Sequence, residues 1–436
     1  MDKIVPFDWQ QQKIDLVAEI FKSSSVAFDM SDTGTGKTVT ALGILKALNK
    51  PAVVVAPKKV HTSWKRTAEA MGVSHLLIDV VNAERLQYKN NWFKMEGKWR
   101  KERGEWVGKG MWLVPADAML IIDEVHRGCS GPKTKTTRIM SCSKAQKIPV
   151  LAMSATMADN PLKMRFIGYL AGLHMYNQAS FYGWCRKNGC FEMPGIRGLH
   201  FSKGQRGSDH MAAIHKEISD ISVRTRAEDV PGFPESIVQP KLYDLDGKSL
   251  GMMVSAYAEL AKLLEAHTPL TEMLRARQKV ELIKVPLLAE LAIESMDEGR
   301  APVIFVNFRD TLFKLKSVLE GMNYGVGKVI GGESADDDID AFSADKLDAM
   351  ICMTSGGFGI SLHATEGMRP RESFISPSYN AVDMKQNLGR IRRINGSKVV
   401  QTFVLIANTI EEKIHDAIMR KARNIASLNG DDLLGL

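Results

Sequence analysis

A lysine set between glycines and a threonine, directly after an apolar run, is a phosphate-binding constellation. In Asp32-Thr33-Gly34-Thr35-Gly36-Lys37-Thr38, the two glycines free the backbone so that successive N–H groups can wrap phosphate oxygens. A helix expected over Val39–Leu48 adds the positive end of its dipole at the same place. Lys37 can reach β- and γ-phosphates and the Thr38 hydroxyl can ligate Mg²⁺, so this loop asks for ATP and Mg²⁺. The spacing departs from GxxxxGK[ST] at its first position, which is Ser31. An ordinary Gly-rich turn is the bland alternative, and the strand–loop–helix context weighs against it. Leu120-Ile121-Ile122-Asp123-Glu124-Val125-His126 follows, with Asp123 lying 86 residues after Lys37. Hydrolysis of a nucleoside triphosphate needs one acid near Mg²⁺, the role suited to Asp123 as a metal ligand beside Thr38. It also needs one group to orient water, the role suited to Glu124.

These residues must be carried by strands ending at a common edge. Apolar or β-branched runs recur at Ser25–Met30, Ala52–Ala56, Met119–Ile122 and Pro149–Met153. They recur again at Pro302–Val306, Lys328–Ile330, Ala349–Met353, Ser373–Ile375 and Val399–Ile406. Near-continuous apolar runs alternating with helical stretches imply parallel strands covered on both faces, an α/β chain of doubly wound sheets. Pro231-Gly232-Phe233-Pro234 breaks the chain, with a polar, helix-forming stretch after it to about residue 298. The boundary is therefore expected near residue 240, with one domain over 1–240 and another over 241–436. The length of 436 residues suits two domains.

The composition is that of an ordinary globular protein, 44% hydrophobic and 25% charged, which excludes a disordered or fibrous chain. The net charge is +8, but residues 51–200 hold 23 basic and 11 acidic side chains. A local field of that size favours a polyanionic partner. The five cysteines form no CxxC pair, which reads as reduced thiols. With no apolar leader and no membrane span, an intracellular protein, cytoplasmic or DNA-associated, is expected.

The chain resembles the superfamily two helicases and translocases along almost its whole length. Ala52–Lys65 looks like motif Ia, Ser154-Ala155-Thr156 like the SAT element, and Pro302–Phe308 like motif IV. Thr354–Leu362 looks like motif V, and Gln386-Asn387-Leu388-Gly389-Arg390-Ile391-Arg392-Arg393 like motif VI. A narrower likeness is to the Swi/Snf branch. Trp9-Gln10 resembles its aromatic-Gln motif, which would put Gln10 at the nucleotide. Trp64 and Glu69 sit where that branch has Trp and Glu, and Arg224–Val230 resembles its RRxKxDV segment. Met157, Ala381, Met384 and Asn395-Gly396 depart from its pattern. Short chains of this kind look most like annealing helicases and the branch-migration helicases of phages.

The resemblance implies two tandem RecA-like lobes with ATP in a cleft between them, a monomeric motor and a duplex or branched DNA partner. Arg390 and Arg393, three apart on an expected helix face, would stabilise charge at the γ-phosphate, with Gln386 beside them. Ser154, Ala155 and Thr156, with His126, would couple nucleotide state to movement. Pro57, Lys58 and Lys59, and Thr354, Gly356 and Gly357, would touch the nucleic-acid backbone. His363 and Arg392 read as packing and surface residues.

An insertion of about residues 82–115 holds Trp92, Trp99, Trp106 and Trp112, and its basic stretch Lys89–Lys109 contains Gly97, Gly104 and Gly108. The glycines favour a hairpin. Trp99 and Trp106 among basic residues suit base stacking; a Trp-stabilised hairpin packed on the first domain is the competing reading. The function expected is an ATP-dependent DNA helicase or translocase. An RNA helicase and a nonhydrolytic ATP-gated clamp are the alternatives, and the intact Lys37, Asp123, Glu124, Arg390 and Arg393 weigh against the clamp.

Overall fold

The structure, a computed structural model, describes residues 3–88, 90–102, 105–126, 134–155, 157–158, 160–193, 196–202, 205–265, 270–354, 360–365, 367–378, 387–393, 396–409 and 411. The chain divides into two compact units at Val230/Pro231.

In the first unit the strands are β1 (Val26–Asp29), β2 (Ala52–Val55), β3 (Leu77–Val81), β4 (Phe93–Glu102), β5 (Glu105–Trp112), β6 (Met119–Asp123), β7 (Val150–Met153), β8 (Cys190–Met193), β9 (Ile196–Phe201) and β10 (Ser222–Val223). Six of them form one sheet in the order β10-β1-β7-β6-β2-β3, with every pairing parallel. Strand alternation divides the core. Phe28, Val53, Val55, Leu120, Ile122 and Ala152 face one side; Ala27, Val54, Ile121, Leu151 and Met153 face the other. Helices α1 (Asp8–Ser23), α2 (Lys37–Leu48) and α3 (His61–Ala70) cover the second face with Ile14, Val17, Leu42, Leu45 and Trp64. The first two helices meet closely: a Cβ on Gly43 would lie 2.2 Å from Ile14 Cδ1.

The insertion is an antiparallel hairpin, β4 against β5, with Phe93 opposite Trp112. Three of its tryptophans are bonded into the fold. Trp92 Nε1 donates to Asp79 Oδ2 at 2.8 Å, Trp99 Nε1 to the Lys109 carbonyl at 2.6 Å, and Trp112 Nε1 to the Ile139 carbonyl at 3.2 Å. A Cβ on Gly108 would lie 2.3 Å from the Trp99 ring, whose partner is the edge of Phe93 at 5.9 Å. Trp99 thus packs within the hairpin, the arrangement the competing reading expects. The Trp106 side chain lies outside the described residues.

The second unit contains β11 (Ser236–Tyr243), β12 (Ala301–Val306), β13 (Val326–Val329), β14 (Ala349–Met353), β15 (Arg371–Ile375) and β16 (Val399–Ile406). They form a parallel sheet in the order β11-β16-β15-β12-β14-β13. The expected boundary near 240 is corrected by β11, which pairs with β16 over its whole length. Pro240 within it is tolerated because β11 is an edge strand, where one side of the backbone needs no ladder partner.

Candidate nucleotide site and the arginine turn

The parallel register brings the carboxyl ends of β1, β7 and β6 level: Asp29 lies opposite Met153, and Met153 opposite Asp123. Loops leaving that edge carry the chemistry, as open α/β sheets require. After β1 the chain turns through Gly34 and Gly36, with φ of +89° and +76°, values that glycine adopts without strain. A side chain at Gly36 would also collide with Gln10, whose Nε2 would be 2.5 Å from the added Cβ. Gln10 is buried and donates from Nε2 to the Thr35 carbonyl at 3.2 Å, so it meets the phosphate loop itself.

Lys37 opens α2, and its Nζ donates to the carbonyls of Ser31 (2.9 Å) and Asp32 (3.1 Å). Thr33 lies in the same turn and Thr38 follows Lys37 on the first turn of the helix. The irregular position, Ser31, has a role of its own. Its Oγ accepts from Lys13 Nζ at 2.8 Å and from the Thr225 N–H at 2.9 Å. Lys13 is buried and pairs with buried Asp29 at 3.6 Å. Burial pushes its ammonium below the usual lysine range; Asp29 opposes this and the charge of Lys37 adds to it. The Asp32 carboxylate accepts from Arg224 at 3.2 Å and from the Ala227 N–H at 3.1 Å. It therefore binds the 224–227 segment to the loop. Lys13, Asp29 and Arg224 were not singled out from the sequence as site residues. Only an apolar-face periodicity with a lysine interrupting it, in α1, could have signalled Lys13.

At the end of β6, Asp123 accepts from the Trp64 indole N–H at 3.1 Å. Its carboxyl is pushed up to about 6 by burial first and by the Glu124 charge second, while Trp64 and the Lys37 charge pull it down. The Lys37 charge therefore bears on the Asp123 carboxyl. Glu124 is buried with φ of +52°, a left-handed backbone that a glutamate adopts only when its surroundings fix it. His126 Nδ1 lies 2.8 Å from Ser154 Oγ and 3.5 Å from Glu124 Oε2. Ser154 N–H donates to the Asp29 carbonyl at 3.0 Å, and Ala155 is buried beside it. The motif II and SAT residues thus meet at the β1–β7–β6 edge. Thr156 lies outside the described residues.

The donor set suits Mg²⁺·ATP. Two left-handed glycines at a helix N-terminus, a lysine and a threonine would form the phosphate cradle. Asp123 and Thr38 supply hard oxygen ligands of the kind Mg²⁺ takes alongside phosphates and water. Among the described residues no group of three or more His, Cys, Asp or Glu could hold a metal. Pro57, Lys58 and Lys59 form the turn after β2 that leads into α3.

In the second unit the arginines are held by a turn. Arg390 N–H bonds to the Asn387 carbonyl, and the Arg390 carbonyl is taken by Leu362 N–H at 2.9 Å. The expected helical face over 390–393 is therefore absent, because that carbonyl is pledged to the strand-end segment. The same segment still gathers both guanidinium groups. Arg390, buried, donates from Nη1 to the Ile360 carbonyl at 3.2 Å, and Arg393 from Nε to Ser361 Oγ at 3.1 Å. Ser361 Oγ is 2.8 Å from His363 Nδ1. Arg392 is no free surface residue: it donates to the Pro234 carbonyl at 2.7 Å and lies 4.8 Å over the Phe233 ring. Thr354 is buried at the end of β14, its N–H bonded to the Val306 carbonyl at 2.8 Å. Gly356, Gly357 and Gln386 lie outside the described residues.

Residues 3–159 match the family model described as the res subunit of type III restriction enzymes. A putative ATP-dependent RNA helicase, L364, of Acanthamoeba polyphaga mimivirus is 28% identical, spanning 98% of this chain and 84% of its own length. Dbp5 of S. cerevisiae, bound to RNA and ADP BeF3, is similar in fold, with a TM-score of 0.53 at 12% identity, covering 96% of this chain and 88% of Dbp5. The SWI2/SNF2 ATPase core of Sulfolobus solfataricus in complex with dsDNA matches with a TM-score of 0.39 at 17% identity, over 98% of this chain and 95% of that one. The fold is that of tandem RecA-like helicase lobes.

Proposed function

We propose that this protein is a nucleic-acid-dependent ATPase of the helicase or translocase type, using ATP and Mg²⁺. The observation that carries the reading is the convergence of Lys37, Asp123 and Glu124 at one sheet edge, where the Lys37 charge bears on the Asp123 carboxyl. When bound, the Mg²⁺ would neutralise phosphate charge. Thr38 and Asp123 hold it, the loop N–H groups and Lys37 orient the phosphates, and Glu124 orients water. Arg390 and Arg393 act on the γ-phosphate, where an arginine is worth roughly 10³–10⁵ in rate.

The nucleic acid is read as duplex or branched DNA, on the Swi/Snf-like spacing of the motifs and the basic field of residues 51–200. Backbone contacts come from Pro57, Lys58 and Lys59 and from Thr354, Gly356 and Gly357. A second reading, RNA, is favoured by one observation: the viral relative spanning 98% of the chain is named an RNA helicase.

The test is an ATPase assay with single-stranded, duplex, forked and four-way-junction DNA and with RNA. Stimulation by branched or duplex DNA above RNA is expected, and the reverse order would move the substrate to RNA. Glu124→Gln is expected to bind ATP and nucleic acid yet stop turnover, and Lys37→Ala to lose turnover altogether. Hydrolysis near the unmodified rate by Lys37→Ala would overturn the reading.

A further inference from the structure

We infer that Ser361 and His363 are positioning residues for Arg393, holding its guanidinium through a two-bond relay. The inference rests on the reading of Arg393 as a group that acts on the γ-phosphate, and adds how that group is aimed.

The geometry is a chain of three side chains on one strand-end segment and the arginine turn. Arg393 Nε donates to Ser361 Oγ at 3.1 Å, and Ser361 Oγ lies 2.8 Å from His363 Nδ1. A hydroxyl has one proton to give. A serine oxygen can accept twice as well as donate once, so the direction of this bond follows the imidazole: with Nδ1 bare, Ser361 gives its proton to His363. The imidazole is then neutral, with its proton on Nε2. A protonated imidazole would make Nδ1 a donor, so two cations would converge on Ser361 Oγ and the serine proton would lose this acceptor. The surroundings oppose protonation: burial, then the charges of Arg393 and Arg371, bring His363 down to about 4. The arginine that the relay holds thus helps to keep the relay in its working state.

The backbone fixes the other end. Leu362 N–H donates to the Arg390 carbonyl and Arg390 Nη1 to the Ile360 carbonyl, so segment 360–362 is stitched to the turn that carries both arginines. An arginine has many rotamers, and one held at Nε has its guanidinium plane set before the ligand arrives. Ordering is then met on folding, not in the transition state.

The test uses the full chain with Mg·ATP and saturating nucleic acid, measuring kcat and KM for ATP, with a melting curve for each variant. Ser361→Ala and His363→Ala are expected to lose up to about 10²-fold in kcat, the cost of a small misplacement, with KM for ATP little changed. His363→Asn keeps an acceptor near the Nδ1 position and is expected to restore most of the turnover. In an Arg393→Ala background, Ser361→Ala should cost nothing further. Folded Ser361→Ala and His363→Ala proteins with unaltered kcat would overturn the inference. So would a folded His363→Asn that is no better than His363→Ala, or a second loss in the Arg393→Ala background. Unaltered turnover by Arg393→Ala alone would instead sink the reading of Arg393 on which the relay depends.

Discussion

The indole N–H of Trp64, on a ring wholly buried under the first sheet, donates to Oδ2 of Asp123 at 3.1 Å. A helix after the second strand thereby holds the carboxylate at the tip of β6, the one assigned to Mg²⁺. Trp64→Phe keeps most of the apolar ring and removes the donor. A hydrogen bond to a charged group contributes about 1.5–3 kcal/mol, and a loss of that order is expected in stability. The more telling change is in the metal: half-maximal turnover should need more Mg²⁺. A Mg²⁺ titration of the ATPase checks this, and an unshifted midpoint would reduce Trp64 to packing.

Lys13 and Asp29 form a buried pair under the phosphate loop, 3.6 Å apart. Removing one member leaves the other charge without compensation, at a cost of about 3–5 kcal/mol. Lys13→Met is therefore expected to destabilise the first unit by that order and to loosen the loop through the lost bond to Ser31. Lys13→Met combined with Asp29→Asn should recover part of the stability and none of the Ser31 bond. Denaturant titrations give the first quantity and nucleotide affinity the second. Equal nucleotide affinity in all three proteins would mean that Ser31 is held well enough by Thr225.

The apolar runs Ser25–Met30, Met119–Ile122, Pro149–Met153 and Ala349–Met353 were legible as strands because parallel strands are buried on both faces, and composition alone marks them. Leu77–Val81 was not, since it carries Asp79, and neither was β11, an exposed edge with Pro240 inside it. The phosphate loop and carboxylate pair were legible because their chemistry fixes residue types within a few positions. Lys13, Ser361 and Arg224 reach their targets across the fold, from 18 positions away for Lys13 to Ser31, 32 for Ser361 to Arg393 and 192 for Arg224 to Asp32. No local spacing encodes such contacts. The tryptophans of the insertion left two readings open for a related reason: composition shows aromatics among basic residues but not which way the pleat turns them.

Trp99 is where that pleat can be tested. Its ring covers Gly108 and meets Phe93, and its N–H is bonded to the Lys109 carbonyl. Trp99→Ala should loosen the β4–β5 hairpin, so limited proteolysis is expected to cut within residues 88–115 faster than in the unmodified protein. Affinities for forked and for plain duplex DNA should then change together or not at all. A selective loss of fork binding with unaltered proteolysis would return the indole to a base-stacking role.

The ionisation of His363 has a consequence for stability that can be signed in advance. Its imidazole is held down to about 4, against an ordinary 6.5, by burial and by the facing Arg393 and Arg371. Between those values the unfolded chain binds a proton at this position and the folded chain does not, so acid favours unfolding. The contribution of neutral His363 is complete above about 6.5 and is lost as pH falls towards 4. His363→Asn removes the titration, so the difference in stability between the unmodified protein and this variant should narrow or reverse over that window and stay level above it. The side chain is partly exposed, which screens the effect and makes slope the safer readout than size. A direct check is the imidazole C–H resonance of His363 in NMR. It should hold its neutral shift down to about pH 5 and move only near 4, and a midpoint near 6.5 would mean that neither burial nor the two arginines bear on it.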